Sequence, residues 1–297
     1  MKIIKVTSFD NYQKFYSLFK IMFTEFKYNL KNINQILNTN INNYKTVNYV
    51  AIENNTVVGI ISATVLEEQK SVYINFIGVI ESYRRQKVGT SLLNKILYNS
   101  YSIYFSGCPN GYLIPGLDET KYPIGLKFFK SKGFIEIDRA ISMKIDLRTF
   151  KYYNFINNEK YSYEIKEFND YYYLDVLELL SVSDHKEWKD VFIKAYIDNS
   201  KKHLGYVATY DNKVIGFAGF NIVSCDKERF GPIYVSDNFR GQKIGKNLTL
   251  SVLEKQKELG CKKSYFLWGE NNSIALKMYE KIGFIMYSNM SVLKYIN

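Results

Sequence analysis

Two decapeptides, FRGQKIGKNL at residues 239–248 and YRRQKVGTSL at residues 83–92, place basic residues and glycine directly in front of a helix-like apolar pattern. They correspond at an offset of 156 positions, Arg84 with Arg240, Gln86 with Gln242, Lys87 with Lys243 and Gly89 with Gly245. The first backbone N–H groups of a helix have no partner inside it, and with the helix dipole they attract an anion. Gly241 and Gly245 lack a Cβ, so backbone there can approach a phosphate closely and take positive φ. Arg240, Lys243 and Lys246 in one copy, and Arg84, Arg85 and Lys87 in the other, add positive charge at the same point. A pyrophosphate-sized anion suits such a turn. The spacing RxxxxG is neither GxxxxGK[ST] nor GxGxxG, and by itself it describes an anion site without a reaction.

Each turn needs a strand before it and a helix after it. SVYINFIGVI precedes the first copy, and Val88, Leu92, Leu93, Ile96 and Leu97 follow it at helical spacing. RFGPIYV precedes the second, which leads into a helix to about Gly260. Around the first turn MKIIKV, NYVAIE, VVGIISATVLEE and SIYFSG read as strands. YPIGLKFFKSKG reads as a short helix stopped by Gly133, and FIEIDRAISMKIDL as one or two closing strands. The second half repeats the series through YEIKEF, two helical stretches, GYVATYDNKVIGFAGF, CKKSYFLW, NNSIALKMYEKIG and a final strand pair. Tyr49, Val50, Ala51 and Gly59 match Tyr206, Val207, Ala208 and Gly216 at an offset of 157. The expectation is two α+β domains, 1–148 and 162–297, each a mostly antiparallel mixed sheet flanked by helices, joined by the polar, Asn-rich stretch 149–161.

In both halves the sequence resembles the GNAT superfamily of acyl-CoA N-acyltransferases. In that family a strand ending in a hydrophobic residue leads into [R/Q]xxGx[G/A], whose amides hold the pyrophosphate of acetyl-CoA. The resemblance implies cofactor roles for Arg240, Gly241, Gln242, Lys243, Ile244, Gly245 and Lys246, and for Arg84, Arg85, Gln86, Lys87, Val88, Gly89 and Thr90. It further implies that the strand ends at Val235 and Val79 pair with the pantetheine arm. Lys87 and Lys243 stand where the motif has its first glycine. A second hallmark, NxxAxxxYxxxGF, fits Asn272, Ala275, Tyr279, Gly283 and Phe284. The resemblance implies that Asn272 contacts the cofactor and that the Tyr279 hydroxyl lies near the acetyl sulfur, where it protonates the leaving thiolate. A phenol within hydrogen-bond reach does ease the departure of a thiolate. Tyr279 is equally one of 27 tyrosines and fits a packed helix face.

The halves differ at this second hallmark. YPIGLKFFKSKGF places Tyr122, Gly125 and Phe129 where Asn272, Ala275 and Tyr279 stand, and Phe129 has no proton to give. The second half is therefore expected to be catalytic, and the first to bind CoA at most. Glu228 and Asp226 are the nearest carboxylates before GPIYV, with Glu228 the expected general base; both also read as surface residues. His185 and His203 read as ordinary polar positions, and Cys225 has no base beside it in sequence, so direct transfer to a bound amine is expected.

The net charge of +11, from 40 basic and 29 acidic residues, is spread along the chain without a run of five like charges, which argues against a dedicated nucleic-acid surface. Cys108, Cys225 and Cys261 are odd in number and unclustered, so neither a disulfide framework nor a metal site is expected. MKIIKVTSFD lacks a secretory apolar stretch and VVGIISATVL is too short to span a bilayer, which gives a cytoplasmic expectation. The functional expectation is an N-acetyltransferase using acetyl-CoA as co-substrate, without metal, on a primary amine of a small molecule or peptide. The resemblance implies that the helical stretches around 8–40 and 169–200 form the acceptor pocket. The alternatives are a non-catalytic CoA-responsive binding module and an RNA-directed acyltransferase, the latter supported only by charge.

Overall fold

In the computed structural model residues 1–6, 9–24, 33–34, 37, 44–106, 114–152, 162–183, 187–198, 204–222, 226–270 and 273–296 are described. The chain divides into two units, unit 1 of Met1–Ala140 with Met290–Asn297 and unit 2 of Ile141–Asn289.

Unit 1 runs through β1 (Lys2–Lys5), α1 (Phe9–Met22), β2 (Tyr44–Glu53), β3 (Thr56–Leu66), β4 (Ser71–Val79), α2 (Val88–Asn94), β5 (Ser102–Phe105), α3 (Pro123–Lys130) and the first part of β6 (Phe134–Asp146). β1 to β4 are antiparallel neighbours, and β5 joins β4 in parallel from Ser71↔Ser102 to Ile74↔Phe105. Unit 2 continues with β7 (Glu164–Glu167), α4 (Tyr173–Ser181), α5 (Glu187–Asp198), β8 (Gly205–Tyr210), β9 (Lys213–Phe220), β10 (Phe230–Val235), α6 (Ile244–Glu258), β11 (Lys263–Glu270), α7 (Ile274–Ile282) and most of β12 (Ile285–Tyr295). Its four-stranded sheet has the order β10-β9-β8-β7, all antiparallel. Both units are α+β, with largely antiparallel sheets flanked by helices, and the parallel β4–β5 pair makes the sheet of unit 1 mixed.

Local chemistry explains the repeat. Asn54 and Asn55, and Asp211 and Asn212, take φ of 47° and 61° and of 47° and 58°. Asn and Asp tolerate this left-handed region, which a two-residue hairpin turn requires, and each pair joins two strands of its unit. The matched glycines have a packing reason. A Cβ on Gly59 would lie 3.0 Å from Leu92 and 3.1 Å from Val88, and one on Gly216 would lie 3.1 Å from Leu248 and 3.2 Å from Ile244. In each unit the helix after the basic turn thus rests directly on a glycine of the central hairpin. Gly216→Val is accordingly expected to destabilise the protein by about 1–3 kcal/mol through overpacking. Chemical denaturation reads this, and an unchanged midpoint would contradict it.

The stretch expected to form one or two closing strands is the single 13-residue strand β6. Phe134 joins the core of unit 1, whereas Ile141, Met143 and Ile145 join that of unit 2; Leu293, near the end of β12, joins the core of unit 1. The boundary at Ala140 therefore lies inside a strand, because apolar burial decides which core each strand segment serves. Residues 153–161 of the polar stretch, and Cys108, His185, His203, Cys225 and Asn272, lie outside the described residues. Among the described residues no helix is long and apolar enough to cross a membrane, and no His, Cys, Asp and Glu cluster suits a metal.

Candidate functional site

β10 ends at Val235, and the chain then makes a 3₁₀ turn at Asp237–Phe239 before α6. Arg240 is extended, with its Nε donating to the Val235 carbonyl at 3.4 Å, and its guanidinium also meets Asp237 at 2.7 Å. Gly241 has φ +82°, and Lys243 caps α6 in the left-handed region at φ 64°, ψ 7°. No side chain caps the helix, and the Asn247 N–H bonds back to the Lys243 carbonyl at 3.0 Å. The amides of Ile244 and Gly245 therefore lie ahead of that bond and point out of the helix end. Ile244 buries its side chain in the core, so it offers only its N–H. A Cβ on Gly245 would meet nothing closer than Met278 at 3.8 Å. Glycine is not needed there for packing within the protein.

Unit 1 repeats this backbone. Arg84 is extended, with Nε donating to Val79 at 3.1 Å, Arg85 has φ 64°, and Lys87 caps α2 at φ 63°, ψ 5°. The two lysines that replace the motif's first glycine thus hold the left-handed conformation a glycine would take without strain. Val88 is buried like Ile244, a Cβ on Gly89 would lie 3.5 Å from Phe128, and Gln86 donates to the Ser82 carbonyl at 2.9 Å. Thr90, at the start of α2, is half-buried. In unit 2 the turn has an additional brace. The Tyr163 hydroxyl donates to the Gln242 carbonyl at 3.1 Å and accepts from Asn247 at 2.8 Å. These partners are about 80 positions apart, and nothing in the sequence signals them.

Among the described residues β10 pairs along its length with β9 alone and meets β11 at one parallel bridge, Arg229↔Tyr265. Beyond that bridge the outer edge of β10 runs open to the basic turn, about 17 Å at 3.3 Å per residue. Tyr279 sits at the closed end of this edge. Its ring lies 5.9 Å from Phe230 and 4.8 Å from Phe266, the residues just past the bridge on each strand, and 5.4 Å from Phe284. α7 begins at Ser273, which caps the Leu276 N–H, and ends at Gly283 with φ +110°, where the amides of Gly283 and Phe284 both bond the Tyr279 carbonyl. Burial alone pushes the Tyr279 phenol far above its usual value. Phe129 holds the same place in unit 1, with Phe105 at 4.4 Å and Phe134 at 5.0 Å. At the position itself the two units differ by one hydroxyl, and Phe230 adds a further ring in unit 2.

The structure does not bring Glu228 onto this edge. Its carboxylate accepts the Lys262 N–H at 3.1 Å and lies 3.8 Å from Lys263, on the far side of the bridge from Phe230. Asp226 accepts the Tyr265 hydroxyl at 2.6 Å and the Glu228 N–H at 2.9 Å. Both carboxylates fasten the start of β11. Glu228→Gln is therefore expected to lower turnover by less than about tenfold, where loss of a general base costs roughly 10²–10⁴. Steady-state kinetics decide between these.

Burial also raises Tyr206, to about 12, with Glu167 and Glu258 adding to it. Both this phenol and Tyr279 titrate higher folded than the ordinary value near 10. Their contribution to stability is complete below pH 10 and falls as pH rises from 10 towards 12, where the unfolded chain binds fewer protons. Denaturation midpoints across that window should fall, and constant midpoints would contradict the burial of these phenols.

The Acetyltransferase (GNAT) family pattern matches residues 12–102 and 166–284, one stretch in each half and together more than half of the chain. Among solved structures the chain is similar to a fungal GCN5-related glucosamine N-acetyltransferase region of a multi-domain β-N-acetylglucosaminidase, with a TM-score of 0.81 and 17% identity. That match covers 99% of this chain and 38% of the other, so this chain spans well under half of that protein. A tandem GNAT protein from the clavulanic acid biosynthesis pathway, without AcCoA, matches with a TM-score of 0.73 and 15% identity over 99% of this chain and 97% of that one. A GCN5-related N-acetyltransferase from Sphaerobacter thermophilus matches at 0.70 and 11%, over 98% and 95%. At these identities the likeness is one of fold. No curated protein matches the chain.

Proposed function

Because the chain belongs to the Acetyltransferase (GNAT) family, we propose that it moves an acetyl group from acetyl-CoA directly to a primary amine of a small molecule or peptide, with the chemistry in unit 2. The observation that carries this reading is the open edge of β10, with the uncapped, glycine-lined start of α6 at one end and the buried Tyr279 at the other. In this reading the amides of Ile244 and Gly245 face the pyrophosphate, and the pantetheine arm extends along β10 as an added strand would. Lys243 and Lys246 supply positive charge near the phosphates, and Arg240 braces the turn from Val235. The thioester then lies beside Tyr279.

The amine nitrogen attacks the thioester carbonyl, the C–N bond forms and the C–S bond breaks. A free thiol titrates near 8.5, well below the buried phenol, so the phenolic proton stays on oxygen before reaction. Tyr279 therefore acts as a hydrogen-bond donor that stabilises the sulfur as its charge develops. The proton released by the amine makes up the balance, leaving an amide and a free thiol.

The first test is binding. Acetyl-CoA at a hundredfold excess over Kd should stabilise the folded chain by about 2.7 kcal/mol. It should also change tryptophan emission, since Trp188 and Trp268 both lie in unit 2 and Trp268 is on β11. An unchanged melting curve and unchanged emission would remove the reading.

A further inference from the structure

In unit 1 the place that corresponds to the open edge of β10 is crossed by a ring of the protein itself. β4 keeps β3 on one side up to Gly59↔Val79, and among the described residues β5 accompanies it on the other only as far as Ile74↔Phe105. Phe76 points to the α1 face of this strand, where it meets Phe15 at 5.5 Å and Phe19 at 4.8 Å. Tyr122, the N-cap residue of α3, packs against the core cluster on the opposite face, with Val88, Leu92 and Phe129. Phe23 lies 5.7 Å from Phe76 and also 6.1 Å from Tyr122. Because β3 closes one edge of β4, a ring that touches both faces passes the other edge, between Asn75 and Val79.

The approach of α1 confirms the closeness. A Cβ on Gly78 would lie 2.4 Å from the Met22 sulfur and 3.3 Å from Phe23, so the end of α1 rests directly on the β4 backbone there. Tyr122 stands where unit 2 has Asn272, so the sequence difference at this hallmark supplies one of the two rings. We infer that the Phe23–Tyr122 contact closes the edge of β4 to an extended acyl-CoA arm, and that the chain therefore takes one acyl-CoA, in unit 2. This rests on the reading of unit 2 given above. It assigns the repeated turn of unit 1 a place in the fold without a second cofactor.

The test is a calorimetric titration of the full chain with CoA, with tryptophan emission recorded alongside. Wild type is expected to take one CoA per chain, with a change in emission, and Gly245→Glu is expected to abolish that binding. The pair Phe23→Ala and Tyr122→Asn should open the edge and give a second binding event that releases heat without a further change in emission. Tyr122→Asn alone is a second route, since Asn is a favoured N-cap and maintains α3. One CoA that survives Gly245→Glu would overturn the inference together with the placing of the cofactor in unit 2, whereas two CoA per wild-type chain would overturn the inference while the acetyltransferase reading stands. So would a single CoA in opened variants whose circular dichroism matches wild type. No binding by any variant would overturn both.

Discussion

Tyr279→Phe is expected to lower turnover by roughly 10²–10³ at saturating acetyl-CoA, the range for removing one preorganised hydrogen-bond donor from a developing charge, while acetyl-CoA affinity and thermal stability stay close to wild type. The substitution removes one hydroxyl and keeps the ring that packs on Phe230, Phe266 and Phe284. The separation of rate from stability is secured by unit 1, where Phe129 already occupies the same aromatic site, buried and with ring spacings of 4.4 and 5.0 Å. A phenylalanine evidently satisfies the packing. Phe129→Tyr should not create a second active centre, since Tyr122 and Gly125 also depart from the pattern of unit 2. Wild-type turnover in Tyr279→Phe would leave the hydroxyl with no role in transfer. A parallel fall in melting temperature would mark it as a packing residue.

Gly245→Glu should weaken acetyl-CoA binding at least about a hundredfold without unfolding unit 2. A Cβ here would make only ordinary contacts, with Met278 at 3.8 Å and Val235 at 3.9 Å, so the position accepts a side chain without a clash. A carboxylate in the first turn of α6 suits the helix dipole, worth about 0.3–1 kcal/mol. The same negative charge set against a pyrophosphate costs several kcal/mol, and each 1.4 kcal/mol is tenfold in affinity. Stability held or raised with binding lost is therefore a signature of a ligand site, and a structural glycine would show the reverse. Calorimetric titration and thermal melting of one sample give both numbers. Retained affinity would remove the turn from the cofactor site.

Much of the fold was legible because the chain states it twice. Hairpin turns at Asn54–Asn55 and Asp211–Asn212, glycines under the two helices, and the paired basic turns each recur at nearly constant offset. Lys87 and Lys243 stand in place of the motif's first glycine and adopt almost the same left-handed dihedrals. Side-chain identity alone does not report φ, and a non-glycine residue can be held there by its surroundings. The limits are equally specific. Tyr163 braces Gln242 and Asn247 across long sequence separations, a relation that periodicity does not carry. Glu228 reads as available because it precedes β10, but the bridge Arg229↔Tyr265 places it beyond the closed end. Distance along a chain gave proximity to β10 without giving the side on which the carboxylate falls. The partition of β6 between two cores was likewise invisible, since its alternation reads the same on either side of Ala140.

The most direct measurement is free-thiol release from acetyl-CoA by the wild-type chain across a panel of primary amines, with the amine products identified by mass. The account predicts release that depends on the amine, matches acetylated amine mole for mole, and collapses in Tyr279→Phe. Binding of acetyl-CoA with no amine-dependent release, or release equal in wild type and Tyr279→Phe, would contradict it.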